Sequence, residues 1–194
     1  IDTSIIEKSQ SLGIKHSPQV EMTSMVFAQD KMQLTEIKAV SDLYPLRGEL
    51  LVAKSAEPEQ SVQGPPKGSV WVEQKLLSIL GITVGDYIEV GVASLKVAGI
   101  LNSVPDESFS VFTNGPTIMM NIEDVVQTEL IQPGSRVGYK ALFAGDVDVI
   151  NTFEEWVKPK VNETQSWYDI KSRQSALSSA LNRAEKYLSL ASML

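Results

Sequence analysis

The chain has 194 residues, 43% of them hydrophobic, and its 17 basic and 24 acidic residues give a net charge of −7. This apolar content is enough to bury a core without disulfide or metal support. The basic residues are scattered, which argues against a nucleic-acid partner. With no cysteine and a single histidine, the chain lacks the residues of a thiol nucleophile or an ordinary zinc site.

The first 40 residues predict a short helix followed by a β-hairpin. Residues 3–13 carry apolar residues on one helical face, and Gly13 is a plausible stop. Residues 20–28 and 32–40 are rich in β-branched and apolar side chains. The short polar stretch 29–31 between them fits a hairpin connection.

A change of chain direction is predicted at residues 44–48. Pro45 fixes one φ angle there, and Gly48 can adopt conformations that other residues avoid. We expect a boundary between two lobes near this stretch. Residues 55–68, with three prolines and two glycines, are expected to form an exposed loop.

The most regular local pattern follows this loop. Four apolar residues recur at helical spacing, and Gly81 lies where a left-handed helix cap belongs: Val72, Leu76, Leu77 and Leu80. Residues 87–90 and 95–101 are expected to be paired strands. A short helix, a turn and a hairpin of this kind are typical of small β-barrels and β-rich lobes.

The last third of the chain alternates strands with helices. The predicted elements are a strand at 117–120, a short helix capped by Asn121, a strand at 137–144, a helix at 147–158 ended by Pro159, and a strand near 166–170.

From Ser172 the sequence is that of an amphipathic helix which becomes steadily more apolar, with Lys186 as its last charge. This gradient is typical of the first turns of a helix that enters a membrane. The alternative is a terminal helix packed on the core of its own domain. No run of about 18 apolar residues occurs, so we expect any membrane span to lie outside these 194 residues.

Catalytic signatures are missing from the sequence. His16 is expected in a polar surface turn and receives no role. The carboxylates occur as sequence neighbours, which point apart on a helix or strand and do not face one cleft. No Walker A, dinucleotide-binding or nucleophile-elbow motif is present. Asp146 and Asp148 lack the further ligands of a calcium loop. The sequence therefore predicts a protein that is not an enzyme and that uses no cofactor or metal.

Four methionines and one phenylalanine fall in the predicted strands, where such residues usually belong to the core: Met22, Met25, Phe27, Met119 and Met120. The alternative is a methionine-lined surface for hydrophobic ligands. Phe109 follows Pro105 in a polar stretch and is expected either at an exposed apolar tip or in ordinary loop packing.

Several stretches together resemble the extracytoplasmic domain of an FtsX-like or MacB-type ABC transporter permease, most closely the YbbP-like branch. They are Thr23-Ser24-Met25-Val26, Tyr44-Pro45-Leu46-Arg47-Gly48-Glu49-Leu50, Val70-Trp71-Val72-Glu73, Leu80-Gly81-Ile82-Thr83-Val84-Gly85-Asp86, Ile131-Gln132-Pro133-Gly134-Ser135-Arg136-Val137, and 181–188. The stretches that begin at Tyr44 and at Ile131 are the most specific. The resemblance draws attention to Tyr44, Arg47 and Arg136, whose alternative roles are structural: packing, ion pairing or capping of a carbonyl.

The resemblance implies an α+β fold of two lobes. One lobe, made of strand-helix units, would be discontinuous and comprise residues 1–45 and 110–175. The other would be a β-rich insertion at 46–109, and residues 172–194 would form a helix leading to a membrane segment.

The resemblance also implies a place and a role. The domain would lie on the periplasmic side of the inner membrane, attached to it in the full-length protein. A separate ATP-binding subunit would act through the membrane helices. The domain would couple their movement to export or extraction of a hydrophobic or lipidic substrate, or to a periplasmic partner protein. A self-contained soluble binding module or chaperone with a hydrophobic groove is the alternative, and an enzyme is the third choice.

Overall fold

The computed structural model describes residues 2–54, 58–105 and 115–168 of the chain. The helices are α1 (Thr3–Ser11), α2 (Gln74–Leu80), α3 (Val125–Thr128) and α4 (Val147–Val157). The strands are β1 (Lys15–Ala28), β2 (Lys31–Val40), β3 (Leu50–Ala53), β4 (Gln60–Val62), β5 (Ser69–Val72), β6 (Tyr87–Val90), β7 (Ala93–Ser103), β8 (Thr117–Asn121) and β9 (Val137–Ala144). Short 3₁₀ turns lie at Ile122–Asp124 and Lys158–Lys160. The mixed α+β class expected from the sequence is confirmed.

Six of the strands close into a barrel-like sheet. Around the ring the order is β1, β2, β8, β5, β7, β6 and back to β1. The β2–β8 and β5–β7 pairs are parallel, and the other four pairs are antiparallel. Strands β1, β2 and β8 lie outside residues 46–109, whereas β5, β6 and β7 lie within them. Both parts of the sequence therefore build one sheet.

Two long strands carry the sheet beyond the ring. Along one side, β1 pairs first with β9, at Lys15 to Met22, and then with β6, at Val26 and Phe27. Strand β7 likewise pairs with β6 near its start and with β3 near its end, and β4 adds to the outer side of β3. Each long strand thus changes neighbour along its length, which leaves a junction where one neighbour ends and the next begins.

The main core fills the barrel and is closed by α2. Its fully buried members include Val26, Ile37, Val70, Leu76, Leu80, Ile88, Val90 and Ile118. A second, smaller core lies on the other face of β5 and β8 and includes Val40, Tyr44, Leu50, Trp71 and Met119. Strands β5 and β8 are buried on both faces, which explains why they read as continuous apolar runs without alternation.

Local chemistry explains why the elements start and stop where they do. The Asp2 carboxylate accepts a hydrogen bond from the Ser4 amide and caps α1. A two-residue turn joins β1 to β2, with Gln29 at a φ of +54°. Gly81 ends α2 at a φ of +74°, as the sequence predicts.

Most predicted elements are confirmed, with four corrections. Val72 ends β5, and α2 begins only at Gln74, because Val72 pairs with Ile118 and Ile100 in the sheet. The expected loop at 55–68 contains the short strand β4, which pairs with β3. Strand β1 begins five residues earlier than predicted, so His16 lies in a strand opposite Phe143 and is partly buried. Residues 166–168 are not a strand.

The methionine prediction holds for three of five residues. Met22, Met119 and Met120 are buried, whereas Met25 is half-buried and Phe27 is 41% exposed. Residues 25 and 27 of β1 alternate with the inward-facing Val26 and Ala28, so they point away from the barrel interior. Met25 and Phe27 are therefore not core residues, although their side chains are hydrophobic.

The chain divides into two units at Ile150, and the described part of the second unit is residues 151–168. Within that unit the Phe153 ring stacks on Trp156 at a centroid distance of 6.4 Å and meets Trp167 edge-on at 5.9 Å. The Lys160 ammonium lies 4.4 Å from the centre of the Trp156 ring. The helix predicted at 147–158 is confirmed as α4, and its buried residues are Phe153 and Val157. The predicted terminal helix lies outside the described residues.

Candidate functional site

The stretch that begins at Tyr44 forms a buried corner, defined here as residues 41–48. Tyr44 is completely buried, and the peptide bond between it and Pro45 is cis. The ammonium of Lys38, itself only 7% exposed, donates a hydrogen bond of 3.2 Å to the Tyr44 hydroxyl and lies 5.0 Å from the centre of its ring. A cation at this depth needs such partners, because an unpaired buried charge is costly.

Hydrogen bonds tie the corner to the rest of the barrel. The Gly64 amide donates to the Tyr44 carbonyl at 2.7 Å, and the Ser41 and Ser17 hydroxyls share a hydrogen bond of 2.8 Å. The Asn121 side-chain amide donates to the Asp42 carboxylate at 2.7 Å. Three distant parts of the sequence therefore meet at the corner.

Two further contacts at the corner reach across large sequence distances. Gly48 has a φ of +80°, and a Cβ placed on it would come within 2.5 Å of the Pro105 Cβ. The exposed Arg47 donates a hydrogen bond of 2.8 Å to the carbonyl of Gly145, 98 residues away. Gly145 follows the last residue of β9 and precedes α4. Arg47 therefore acts as a carbonyl cap, one of its expected structural roles.

The stretch that begins at Ile131 forms an exposed turn before β9, and we call residues 130–136 the Arg136 turn. The Ser135 hydroxyl donates to the Leu130 carbonyl and accepts from the Gln132 amide, both at 3.0 Å. The Ser135 amide also donates to the Gln132 carbonyl at 2.9 Å. The turn is thus internally hydrogen-bonded, although residues 131–136 are all exposed.

A groove of about 280 Å³ lies between the Arg136 turn and β1. Seven residues line it. We call its polar lining residues the polar wall (Thr23, Ser24, Ser135 and Arg136) and its apolar lining residues the floor (Met22, Leu130 and Val137). Arg136 makes no hydrogen bond or ion pair with any residue that the structure describes. Its guanidinium thus remains open to an external group.

The sequence-predicted residues fall into two places. Tyr44 and Arg47 lie together at the corner, whereas Arg136 stands apart in its turn. Arg47 donates to the carbonyl of Gly145, just after β9, whereas Arg136 immediately precedes β9. The eight residues of β9 therefore separate the two places by about 26 Å along the strand. Phe109 lies outside the described residues.

Two titratable groups in the described part of the chain have altered pKa values. Burial, together with the Glu21 carboxylate, raises the pKa of Glu36 above its usual range. Glu21 itself forms an ion pair with Lys140 across β1 and β9. A hydrogen bond and ion pair to Glu123 at 2.5 Å raise the pKa of the exposed Lys67. Both groups lie on the surface of the barrel and neither lines the groove.

The sequence reading missed the buried polar groups around the corner. Lys38 reads as an ordinary outward residue of β2, and Gly64 reads as part of a loop. Their importance depends on long-range pairing that local patterns do not report. Asn121 was predicted as a helix cap and does accept a hydrogen bond from the Glu123 amide, but its contact with Asp42 has no local signal.

Among residues 2–54, 58–105 and 115–168, no cluster of three or more acidic or histidine side chains could hold a metal ion. No helix within these ranges is both long and apolar enough to cross a bilayer.

Comparison with known proteins finds a clear sequence relative. Over 189 residues, 97% of this chain, it is 34% identical to the uncharacterized ABC transporter permease YbbP of Escherichia coli (strain K12). The chain spans 23% of the length of that permease. No protein-family model matches the chain.

Two solved structures share the fold. The periplasmic region of MacB from Actinobacillus actinomycetemcomitans superposes with a TM-score of 0.52 at 12% identity, over 79% of this chain and 72% of that one. The extracellular domain of the noncanonic ABC-type transporter YknZ from Gram-positive bacteria gives 0.54 at 12% identity, over 78% and 76%. The chain is therefore similar in sequence to one segment of YbbP, and it shares the fold of the MacB periplasmic region and of the YknZ extracellular domain.

Proposed function

We propose that this chain is the non-catalytic extracytoplasmic part of a transporter, where it couples ATP-driven movement of membrane helices to export or extraction of a hydrophobic or lipidic substrate. The observation that carries the proposal is the 34% identity to a permease over 97% of the chain. The proposal includes an ATP-binding subunit that acts through the membrane helices, and a position on the periplasmic side of the inner membrane.

The proposal divides the domain into a discontinuous lobe, residues 1–45 and 110–175, and an insertion, residues 46–109. The contact between Gly48 and Pro105 supports this division, because it brings the two ends of the insertion together. An inserted segment can be accommodated when its ends lie close to each other. The three barrel strands of each part lie side by side, and the two parts pair with each other at β5–β8 and at β1–β6. The insertion would therefore move with the strands it joins and not as an independent flap.

Coupling requires that force on one element reach the others without loss in a flexible joint. The closed barrel and the corner hydrogen bonds supply such continuity within residues 2–150. The bond from Arg47 to the Gly145 carbonyl extends this continuity to the residue that follows β9. We therefore propose that the domain acts as a lever for the membrane helices.

The test uses the full-length protein. The tagged protein would be purified in detergent and its partners identified, and protease accessibility in spheroplasts would report the side of the membrane. We expect an ATPase subunit to co-purify and this domain to be cleaved from outside. Failure to recover an ATPase subunit, or protection of the domain from external protease, would overturn the proposal in favour of a self-contained binding module.

A second arm addresses coupling. Replacing residues 2–168 by a short linker should leave an ATPase complex in the membrane but abolish substrate export. A matched control is the surface substitution Tyr139→Ala, at a residue that is 60% exposed on β9 and should leave export intact. Normal export by the deletion variant would contradict the proposed coupling.

A further inference from the structure

The groove beside Arg136 exists because β1 changes neighbour there. The β1–β9 ladder ends at the Met22–Val137 pair, and the β1–β6 ladder begins only at the Val26–Val90 pair. Residues 23–25 keep their pairing with β2 but pair with none of the described strands on the other side. Successive residues of an antiparallel strand direct their amide and carbonyl to alternate sides. At least one of these three residues therefore presents its backbone polar groups to the open side.

The polar wall of the groove suits an anion. The Arg136 guanidinium is planar, permanently charged and shaped to bind a carboxylate or phosphate through two parallel hydrogen bonds. It is exposed, and no described residue neutralises it in a chain whose net charge is −7. The exposed Thr23 adds a hydroxyl to the polar wall. Because the Ser135 bonds fix the turn, Arg136 projects from a defined backbone.

The floor of the groove is apolar. Met22 is only 7% exposed, and Leu130 and Val137 are partly buried against the main core. An inorganic anion would use the polar wall alone and leave this floor in water. An amphiphile would cover both surfaces, and burial of apolar area favours it. The volume of about 280 Å³ is near the lower limit for small-molecule pockets, so it would accommodate a head group and a few methylenes.

We propose that the groove between β1 and the Arg136 turn binds the anionic head, carboxylate or phosphate, and the first methylenes of a single-chain amphiphile. Only the origin of such a ligand, as transported cargo or surrounding lipid, depends on the proposed transport function.

The experiment measures ligand binding to the 194-residue chain by NMR titration below the critical micelle concentration. The probes are decanoate, decyl phosphate, inorganic phosphate and decanol, which separate the acid, phosphate and alkyl contributions. We expect decanoate and decyl phosphate to shift the amides of Thr23, Ser24 and Val137. Inorganic phosphate and decanol should each bind at least about tenfold more weakly. Inorganic phosphate can contact only the polar wall, and decanol has no charge to pair with Arg136.

Two variants test the residues. Arg136→Gln keeps the side-chain length but removes the charge, and it should weaken decanoate binding by about tenfold or more. Arg47→Gln is the matched control, since it removes the same charge at the other end of β9 and should leave the affinity unchanged. Leu130→Ser should weaken binding of decanoate but not of inorganic phosphate. Circular dichroism would verify that Leu130→Ser folds. If it does not fold, Arg136→Gln, at an exposed position, still tests the proposal.

Three results would overturn the inference. They are no binding of either amphiphile, equal affinity for inorganic phosphate and decyl phosphate, or an unchanged affinity in Arg136→Gln. Because this titration needs neither a membrane nor an ATPase subunit, its outcome is distinguishable from failure of the transport proposal.

Discussion

The corner and the Arg136 turn are the two most specific stretches of the sequence, and they have opposite physical settings. Each combines a proline, a glycine at positive φ and an arginine. At the corner, Tyr44 is completely buried, Gly48 touches Pro105 and Arg47 bonds a backbone carbonyl.

In the Arg136 turn the same residue types are exposed. Among the described residues, no atom lies within 4 Å of a Cβ placed on Gly134, and none is a partner of Arg136. Similar local sequences therefore serve two purposes. The corner contributes stability, whereas the turn presents a charge beside a groove.

The largest expected effect lies at the centre of the corner. Tyr44→Ala should lower the free energy of unfolding by about 3–5 kcal/mol, because it empties a fully buried aromatic site and removes the hydroxyl that accepts from Lys38. Urea denaturation followed by circular dichroism would measure this loss. Tyr139→Ala, at a 60% exposed tyrosine, is the control and should change stability by less than about 0.5 kcal/mol. Equal effects of the two substitutions would contradict the buried position of Tyr44.

The two glycines give the most direct comparison of the two regions. Gly48→Ala should cost about 2–4 kcal/mol, since it adds a clash with Pro105 to the strain of a φ of +80°. Gly134→Ala, at a φ of +92° in open space, should cost only about 1 kcal/mol from backbone strain. The same denaturation assay measures both. A Gly134 cost equal to that of Gly48 would mean that the corner is no more tightly packed than the turn.

Much of the fold was predictable because helices and strands have local signals. Gly81 ends α2 as its capping position indicates, and β9 has the predicted bounds. Val72 was misread because an apolar residue at helical spacing before α2 can equally end a strand. The closure of six strands into a ring depends on pairings such as Val26 with Val90, which are distant in sequence and leave no periodic trace.

The site was only partly predictable for the same reason. The sequence singles out Arg47 and Arg136 equally as candidate site residues, and it allows a structural role for either. Only the three-dimensional arrangement separates them, because the Gly145 carbonyl that accepts from Arg47 is 98 residues away. The groove likewise depends on where β9 ends and β6 begins along β1, which is a property of register.

The two arginines should differ in stability as well as in binding. Arg47→Gln should cost about 1 kcal/mol, because it removes a charge-assisted hydrogen bond to the Gly145 carbonyl at an exposed position. Arg136→Gln should change the free energy of unfolding by less than about 0.5 kcal/mol. Parallel thermal and urea denaturation of the two variants would measure the difference. A larger loss in Arg136→Gln would reveal a structural role for that residue and reverse the assignment of the two regions.

The smallest expected effect concerns Glu36, which lies opposite Thr23 in the β1–β2 register and so stands near the groove. Burial and the Glu21 carboxylate raise the pKa of Glu36, while Lys140 and Lys38 oppose the shift and Glu73 adds to it. A raised pKa means that the folded chain binds this proton more tightly than the unfolded chain does. Above its pKa in the folded chain, the ionised Glu36 carboxylate therefore destabilises the fold. Lowering the pH from that pKa toward the unfolded value of 4.5 protonates the carboxyl and removes this destabilisation.

Glu36→Gln should accordingly stabilise the chain at pH 7 by less than about 1 kcal/mol, since the carboxyl remains partly solvated. The advantage should shrink as the pH falls and vanish below about 4.5, as urea denaturation across that range would measure. A variant less stable than the parent at pH 7 would mean that attraction to Lys140 and Lys38 outweighs burial and repulsion. Glu36, near the groove, would then contribute to stability through favourable charge pairs. The difference in stability contribution between the corner and the groove region would be smaller than we propose.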